Sequence, residues 1–368
     1  MSPVCQTHAT VETGGKRQLT MESPVGSIAF MRCNTSVPSA AVFSPGMSLT
    51  RPGHLRGSWW RLVRSGLAAL ALSVGLSACR TAAPHCPEAV QPRPLPGVKH
   101  VLLIGFDGFG AYAWERAEIP NLKALAARGA LSLKARAVLP SASAANWATH
   151  LMGAGTELHG YTEWNSRTSM PPARVVSKYG LFPGIFGLVR EAYPTAEMGV
   201  LYEWDGIHYL FENEAVNFEK QEKSPAALTA GTARYLLEKK PLFTFVCYDQ
   251  PDAVGHGEGH DTPQYYDMLK NCDAEVGKLL DALTAAGMAQ DTIIMLISDH
   301  GGLDKGHGGK TLQEMETPWL IAGPGIQRGH PIAASIVHYD TAATLARIFG
   351  VRPPQVWTGR AVREVFAR

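Results

Sequence analysis

The stretch Val101-Leu102-Leu103-Ile104-Gly105-Phe106-Asp107-Gly108 is an uninterrupted apolar run that ends abruptly in a carboxylate and a glycine. Two later stretches repeat the pattern. Residues 242–248 are apolar or aromatic apart from Thr244 and lead to Asp249 and Asp252, and residues 292–297 lead to Ser298, Asp299, His300 and Gly301. A short apolar run bounded by turn residues reads as a strand covered on both faces, the situation of a parallel sheet between helices. In such a sheet ligands collect beyond the carboxyl ends of the strands, where loops present polar groups without burying them unpaired. Three carboxylate-bearing loops therefore open on one edge.

Working outward, 196–201 reads as another strand and 319–322 as a weaker one, while 120–128, 146–151, 182–191, 226–238, 264–286 and 340–349 read as helices. Strands alternating with longer amphipathic segments predict an α/β fold, a single domain over 99–368 with a largely parallel central sheet and helices on both faces. With 368 residues and 45% hydrophobic composition the chain has enough apolar material for that core. Lys and Arg total 34 against 32 Asp and Glu, so the basic excess that nucleic-acid phosphates demand is missing. No nucleic-acid scaffold and no obligate protein partner are expected.

The N-terminal quarter reads as processing sequence. Arg51, Arg56, Arg61 and Arg64 precede an uncharged apolar run over 66–76, which ends in Leu76-Ser77-Ala78-Cys79. Basic then apolar is the order of a secretory signal, and the last four residues resemble a bacterial lipobox. Residues 47–79 are thus expected to be a lipoprotein signal with lipidation at Cys79, 1–46 a spurious or disordered extension, and 80–98 a Pro- and Ala-rich tether. The expected location is the cell envelope, facing the periplasm, with the outer membrane favoured over the inner one. Cys86, Cys247 and Cys272 form no disulfide framework and lack the spacing of a zinc knuckle.

Asp107, Asp252, His256, Asp299, His300 and His307 supply carboxylate oxygens and imidazole nitrogens, a mixture that suits zinc better than magnesium. Singly, a strand-end Asp reads equally as a helix cap and a lone His as structural. As an ordered set, each after a strand or in the glycine-rich 301–309 loop, packing alone explains them poorly. The set resembles the alkaline phosphatase superfamily, and most closely its type I phosphodiesterase and nucleotide pyrophosphatase branch, over roughly 99–349. That resemblance implies two divalent metal ions, zinc by preference, one held by Asp107, Asp299, His300 and the nucleophile oxygen, the other by Asp252, His256 and His307.

Residues 139–147 are similar to the branch's Pro-x-x-Thr-x-x-Asn segment with serine in the threonine position, which implies Ser143 as nucleophile and metal contact. The rival Ser141 faces away if the segment is extended. Asn146 reads either as a hydrogen-bond donor to a phosphoryl oxygen or as the cap of the next helix. The branch places a phosphate-contacting Asn five residues after His159; here Trp164 stands there and Asn165 follows, so Asn165 is a substrate-binding candidate. Trp147, Tyr161 and Trp164 are candidates for stacking on substrate or for packing. His260 reads as a solvated loop residue or as a group reaching the leaving group.

The function these features imply is hydrolysis of a small phosphate ester by a metal-dependent phosphodiesterase working through a Ser143 phosphoenzyme. A phosphomonoesterase or sulfatase-like hydrolase is the alternative on the same scaffold. Against the sulfatase, Ala145 and Trp147 stand where its Pro and Arg would be. With Lys305 and Lys310 the nearest cations, a monoanionic diester is favoured over a dianion. The alternative of another class is a metal-stabilised, non-catalytic binding lipoprotein.

Overall fold

A computed structural model of the chain describes residues 93–367. The readings of 1–46 and 47–79, the lipidation of Cys79, Cys86 and most of the 80–98 tether lie outside the described residues.

The strands are β1 His100–Asp107, β2 Gly129–Arg136, β3 Met198–Tyr202, β4 Phe218–Gln221, β5 Phe243–Pro251, β6 Thr292–Ser298, β7 Glu316–Ala322 and β8 His330–Pro331. They form one sheet in the order β4-β3-β5-β1-β6-β7-β2-β8. All neighbours run parallel except β7, which is antiparallel to both β6 and β2. The helices are α1 Pro120–Ala127, α2 Ser143–Met152, α3 Thr156–His159, α4 Ile185–Ala192, α5 Pro225–Lys239, α6 Asp252–Glu258, α7 Pro263–Ala285, α8 Leu312–Met315 and α9 Asp340–Phe349.

Why β1 has no polar alternation is plain from its surroundings. Val101 and Leu103 join an apolar cluster with Trp147 and Leu151 of α2, Phe186 of α4 and Leu345 of α9. Leu102, Ile104 and Phe106 join the opposite cluster with Leu122 of α1, Leu236 of α5 and Leu269 of α7. Both faces of the central strands are thus covered, and each fully buried aliphatic or aromatic side chain contributes about 1.5–3 kcal/mol relative to exposure. Pairing β1 between β5 and β6 in parallel places Asp107, Asp252 and Asp299 at one end of the sheet. No helix among the described residues is long and apolar enough to cross a membrane.

The expected α/β architecture is the observed one, and α9 has the anticipated bounds. Three strands were not anticipated. β2 mixes Ser132 and Lys134 into its run, β4 is a short edge strand and β8 has two residues. Helix α2 starts at Ser143, so Asn146 lies within its first turns and is not its cap; the N-cap is Ala142, without a side-chain hydrogen bond.

Candidate active site

Asp107 ends β1, and its Oδ2 accepts a hydrogen bond from Trp147 Nε1 at 3.0 Å. Asp299 follows β6, and its Oδ1 accepts the backbone N–H of Gly108 at 3.1 Å and of His300 at 3.0 Å. Each carboxylate is therefore pinned by one oxygen. The other oxygens, Asp107 Oδ1 and Asp299 Oδ2, are buried without hydrogen-bond partners. They lie 3.4 Å and 3.2 Å from His300 Nε2, which is also 3.2 Å from Ser143 Oγ. His300 Nδ1 is 2.8 Å from the Gly301 carbonyl, which can only accept, so Nδ1 carries the proton and Nε2 offers a lone pair.

The second group is built by α6 and the 301–310 loop. Asp252 and His256, one turn apart on one face of α6, place Oδ2 and Nε2 at 3.0 Å. His307 Nε2 is 3.2 Å from His256 Nε2 and 3.9 Å from Asp252 Oδ2. Here too the Nδ1 atoms donate to backbone carbonyls, His256 to Lys305 O at 2.9 Å and His307 to Ser141 O at 3.1 Å. All three histidines thus have Nδ1 tied to backbone and Nε2 turned inward, the arrangement by which proteins orient imidazole ligands. Asp252, His256 and His307 bring ligand atoms within 4.8 Å of one another, and so do Asp107, Asp252 and His300. Asp252 belongs to both sets.

Electrostatically the centre is dominated by its clustered carboxylates. Burial, then the neighbouring Asp299 and Asp252, push the Asp107 carboxyl well above its ordinary range, and burial followed by Asp252 does the same to Asp299. For Asp252 burial acts upward, but contact with the His256 and His260 imidazoles outweighs it and holds the carboxyl well below the usual range. Clustered carboxylates with orphaned oxygens, facing imidazole lone pairs, fit divalent metal ions, and the mixed N and O donors fit zinc.

Hydrogen bonding to Asp252 pushes His256 up to about 9. At neutral pH the metal-free side chain therefore carries a proton that coordination through Nε2 must expel. Metal uptake at pH 7 is expected to release about one proton at this group, and the release to fade as the pH is raised through about 9. Calorimetric titration in two buffers of different ionisation heat measures it, and identical heats in both would remove His256 from the ligand set.

Several expectations are corrected. Asn146 is fully buried and does not reach toward substrate. Its Oδ1 accepts Val138 N at 2.7 Å and faces His338 Nδ1 at 3.0 Å, while its Nδ2 donates to Pro140 O and Ala142 O at 3.0 and 3.1 Å. It braces the segment that leads into Ser143. Trp147 is in the core with 0% exposure and orients Asp107, so it is no stacking surface. Tyr161 is likewise buried, its hydroxyl given to Tyr209 O. Asn165 is not among the residues lining the cavity at the centre. Trp164 does line it and is 60% exposed. Ser141 faces away from the centre, donating to Gly309 O at 2.7 Å and accepting from Gly308 N at 3.2 Å. Lys305 donates to Gly257 O, and neither it nor Lys310 lines the cavity.

His260 fits neither reading made of it. Its side chain is 0% exposed, and Nε2 lies 3.4 Å from Asp252 Oδ1. A Cβ at Gly255 or Gly302 would stand 2.4 or 2.3 Å from its ring, so those glycines make room for it. The Gly-x-Gly-His spacing after His256 hinted at a fitted ring only in retrospect. His260→Gln is expected to weaken zinc binding about 10- to 100-fold, as loss of a partner that orients a ligand does. Competition with a chromophoric chelator measures this, and unchanged affinity would reduce His260 to packing.

With this geometry in view the comparisons are direct. The model of the type I phosphodiesterase / nucleotide pyrophosphatase family matches residues 101–178 and 199–313. Murine ectonucleotide pyrophosphatase / phosphodiesterase 5, an inactive variant in complex with AMP, aligns with TM-score 0.60 at 14% identity, covering 73% of this chain and 100% of that one. Phosphonate monoester hydrolase from Silicibacter pomeroyi aligns with TM-score 0.54 at 16% identity over 72% and 76% of the two chains. These likenesses define an alkaline phosphatase-like α/β fold. The chain belongs to the type I phosphodiesterase / nucleotide pyrophosphatase family. Among curated proteins, ectonucleotide pyrophosphatase/phosphodiesterase family member 7 of Mus musculus is 24% identical over 240 residues, 58% of this chain and 52% of that protein. Arylsulfatase K of Bos taurus is 34% identical over 100 residues, 26% of this chain and 18% of that protein. The chain thus spans about half, or less, of the length of these relatives.

Proposed function

We propose that the chain hydrolyses phosphate diesters in two half-reactions through Ser143, with two zinc ions. The observation that carries this reading is the position of Ser143 Oγ, 3.2 Å from a His300 Nε2 whose other nitrogen is fixed, beside two orphaned carboxylate oxygens. Asp107, Asp299, His300 and Ser143 would hold one ion, and His256, His307 and Asp252 the other, with Asp252 within reach of both. When bound, such ions lower the pKa of a coordinated hydroxyl and neutralise charge developing on the leaving oxygen.

The chain's own part is positioning. Ser143 opens α2, so its Oγ stands where the helix dipole favours an approaching phosphate. Of the first-turn amides, that of Ala144 is already given to Trp164 O at 3.0 Å. Oγ gives up its proton and attacks phosphorus in line, the bond to the leaving alkoxide breaks and that oxygen takes up a proton, and a phosphodiester of Ser143 that keeps the second alcohol results. Water then attacks the same phosphorus from the vacated side, the Oγ–P bond breaks and Oγ regains a proton. Asn146 and Ser141 hold the segment ahead of the nucleophile still during both steps.

A diester is favoured because no Lys or Arg lines the cavity to meet a second negative charge. The experiment is hydrolysis of bis-p-nitrophenyl phosphate, p-nitrophenyl phosphate and p-nitrophenyl sulfate, with and without added zinc. Zinc-dependent preference for the diester is expected; preference for the monoester would make the protein a phosphatase, and inactivity on all three would sink the hydrolase reading. We also propose export and anchoring through Cys79, for which incorporation of a palmitate analogue, lost in Cys79→Ala, is the test.

A further inference from the structure

The candidate centre occupies one end of the sheet, and the first described residues lie at the other. Leu95 N–H donates to Ile348 O at 2.9 Å and Lys99 N–H to Asp291 O at 2.8 Å, which sets residues 95–99 at the amino ends of β1 and β6. The eight residues of β1, at roughly 3.3 Å each, put the centre about 25 Å away. The last part of the chain folds back onto this far end. Residues 323–367 hold five arginines, Arg328, Arg347, Arg352, Arg360 and Arg363, against two carboxylates, Asp340 and Glu364. All five arginines are exposed. The carboxylates are engaged within the fold. Asp340 is buried and accepts the N–H groups of Val337 and Arg360 at 2.9 and 2.8 Å. Glu364 accepts the N–H of Ala334 and faces His330 Nε2 at 3.5 Å.

Contacts join these arginines into one surface. Arg347 Nη1 donates to Arg93 O at 3.0 Å, and its guanidinium lies 5.7 Å from the ring centre of Phe366. Phe366 in turn lines a cavity of about 800 Å³ with Arg328, His330 and Arg363. That cavity is at the same end of the sheet, since His330 pairs with Ala130 near the start of β2. Arg363 also lines the cavity that Arg360 lines. Among the described residues neither Arg328 nor Arg363 has a carboxylate partner. Positive charge thus runs from Arg93 through Arg347 to Arg363 and Arg360. Like charges so gathered repel one another, and the fold gains nothing from them.

A polyanion gains from all of them at once. Guanidinium groups meet phosphate through paired hydrogen bonds, and a bilayer of anionic phospholipid presents phosphates in a plane. The course of the chain selects the bilayer over a soluble polyanion, because Arg93 follows the proposed acylation point, Cys79, by fourteen residues. We propose that the surface of Arg93, Arg328, Arg347, Arg360 and Arg363 lies against the headgroups of an anionic phospholipid bilayer. The candidate centre, at the far end of the strands, then opens away from the membrane. The choice of a bilayer rests on the anchoring reading; the surface itself does not.

Sedimentation with sucrose-loaded vesicles tests it, using the chain from Arg80 on, a compact unit that holds every described strand and helix and lacks Cys79. The vesicles are phosphatidylcholine, alone or with an equal part of phosphatidylglycerol. Binding is expected to the anionic vesicles only, and to vanish in about 1 M salt, where the screening length falls to about 3 Å. Arg328→Gln/Arg363→Gln should weaken it about 25-fold, about fivefold for each basic side chain at such a surface. Lys220→Gln/Lys223→Gln makes the same charge change at exposed positions on and beside β4, the opposite edge of the sheet. It should alter binding by less than about twofold, because distant exposed charges are screened. Equal binding to both vesicle types, binding to neither, or the same loss in both double variants would overturn the proposal. So would retention on immobilised DNA at a salt concentration that frees the protein from the vesicles, which would give the surface to a soluble polyanion. None of these outcomes bears on the phosphodiesterase reading, and acylation of Cys79 is decided separately by the palmitate analogue.

Discussion

Ser143→Ala is expected to lower turnover of a chromogenic phosphodiester by at least about 1,000-fold, since on the proposed route it removes the nucleophile and leaves only the binding and electrostatic contributions of the site. The change should act on chemistry alone. Ser143 lies at the first position of α2 and is followed by Ala144 and Ala145, so alanine suits the local helix. Its Oγ makes one contact, to His300 Nε2, while that ring stays fixed through Nδ1 to Gly301 O. Folding and most of the metal affinity should therefore survive, which thermal melting and metal analysis of the same sample would establish. Ser141→Ala separates the two candidate serines. It removes the links to Gly309 O and Gly308 N that help seat His307, so it should weaken metal binding and reduce turnover far less than Ser143→Ala. If Ser143→Ala kept a tenth or more of wild-type activity, a direct attack by water would replace the phosphoserine route.

What the sequence disclosed, and what it hid, follows from how far each residue's environment is set locally. β1, β5 and β6 are central strands with both faces covered, so their apolar runs are continuous and stop sharply where the candidate ligands begin. Asp107, Asp252 and Asp299 were visible for that reason, and His256 through its one-turn spacing from Asp252. The roles of Asn146, Trp147 and His260 were hidden because their partners are distant. Asn146 meets His338 across 192 residues, and Trp147 meets Asp107 across 40. His260 is buried because Gly255 and Gly302 leave space for a ring, which no local pattern of polarity announces. The start of α2 was misplaced because its N-cap, Ala142, has no capping side chain to signal it. β2 and β4 escaped notice because toward the ends of the sheet burial is partial, and polar residues such as Lys134 and Glu219 are tolerated within a strand.

Asp252→Asn is expected to strip the centre of both metal ions, where His256→Ala costs only one. Asp252 is shared by the two ligand groups, whereas His256 and His307 serve one and His300 the other. Asparagine keeps the size of the side chain but removes the charge and replaces one acceptor by a donor, which would face the imidazole nitrogens of His256 or His260. Metal analysis by mass spectrometry after gel filtration should find less than one ion per chain, with turnover down by about 1,000-fold or more, as expected when the ions that carry charge stabilisation are lost. The metal-free protein supplies a second readout, because Asp252 and His256 stabilise one another as an ion pair. Asp252 is depressed on folding, so its contribution is present above the ordinary carboxylate range and is lost as the pH falls through its folded value. His256 is raised, so its contribution is complete below its ordinary value of 6.5 and is lost as the pH rises through about 9. In chelator at pH 6, Asp252→Asn should therefore melt below the wild type, and the gap should narrow by pH 10 as His256 loses its proton in both. An Asp252→Asn protein that still held two ions would refute the sharing of Asp252 between the two ligand groups.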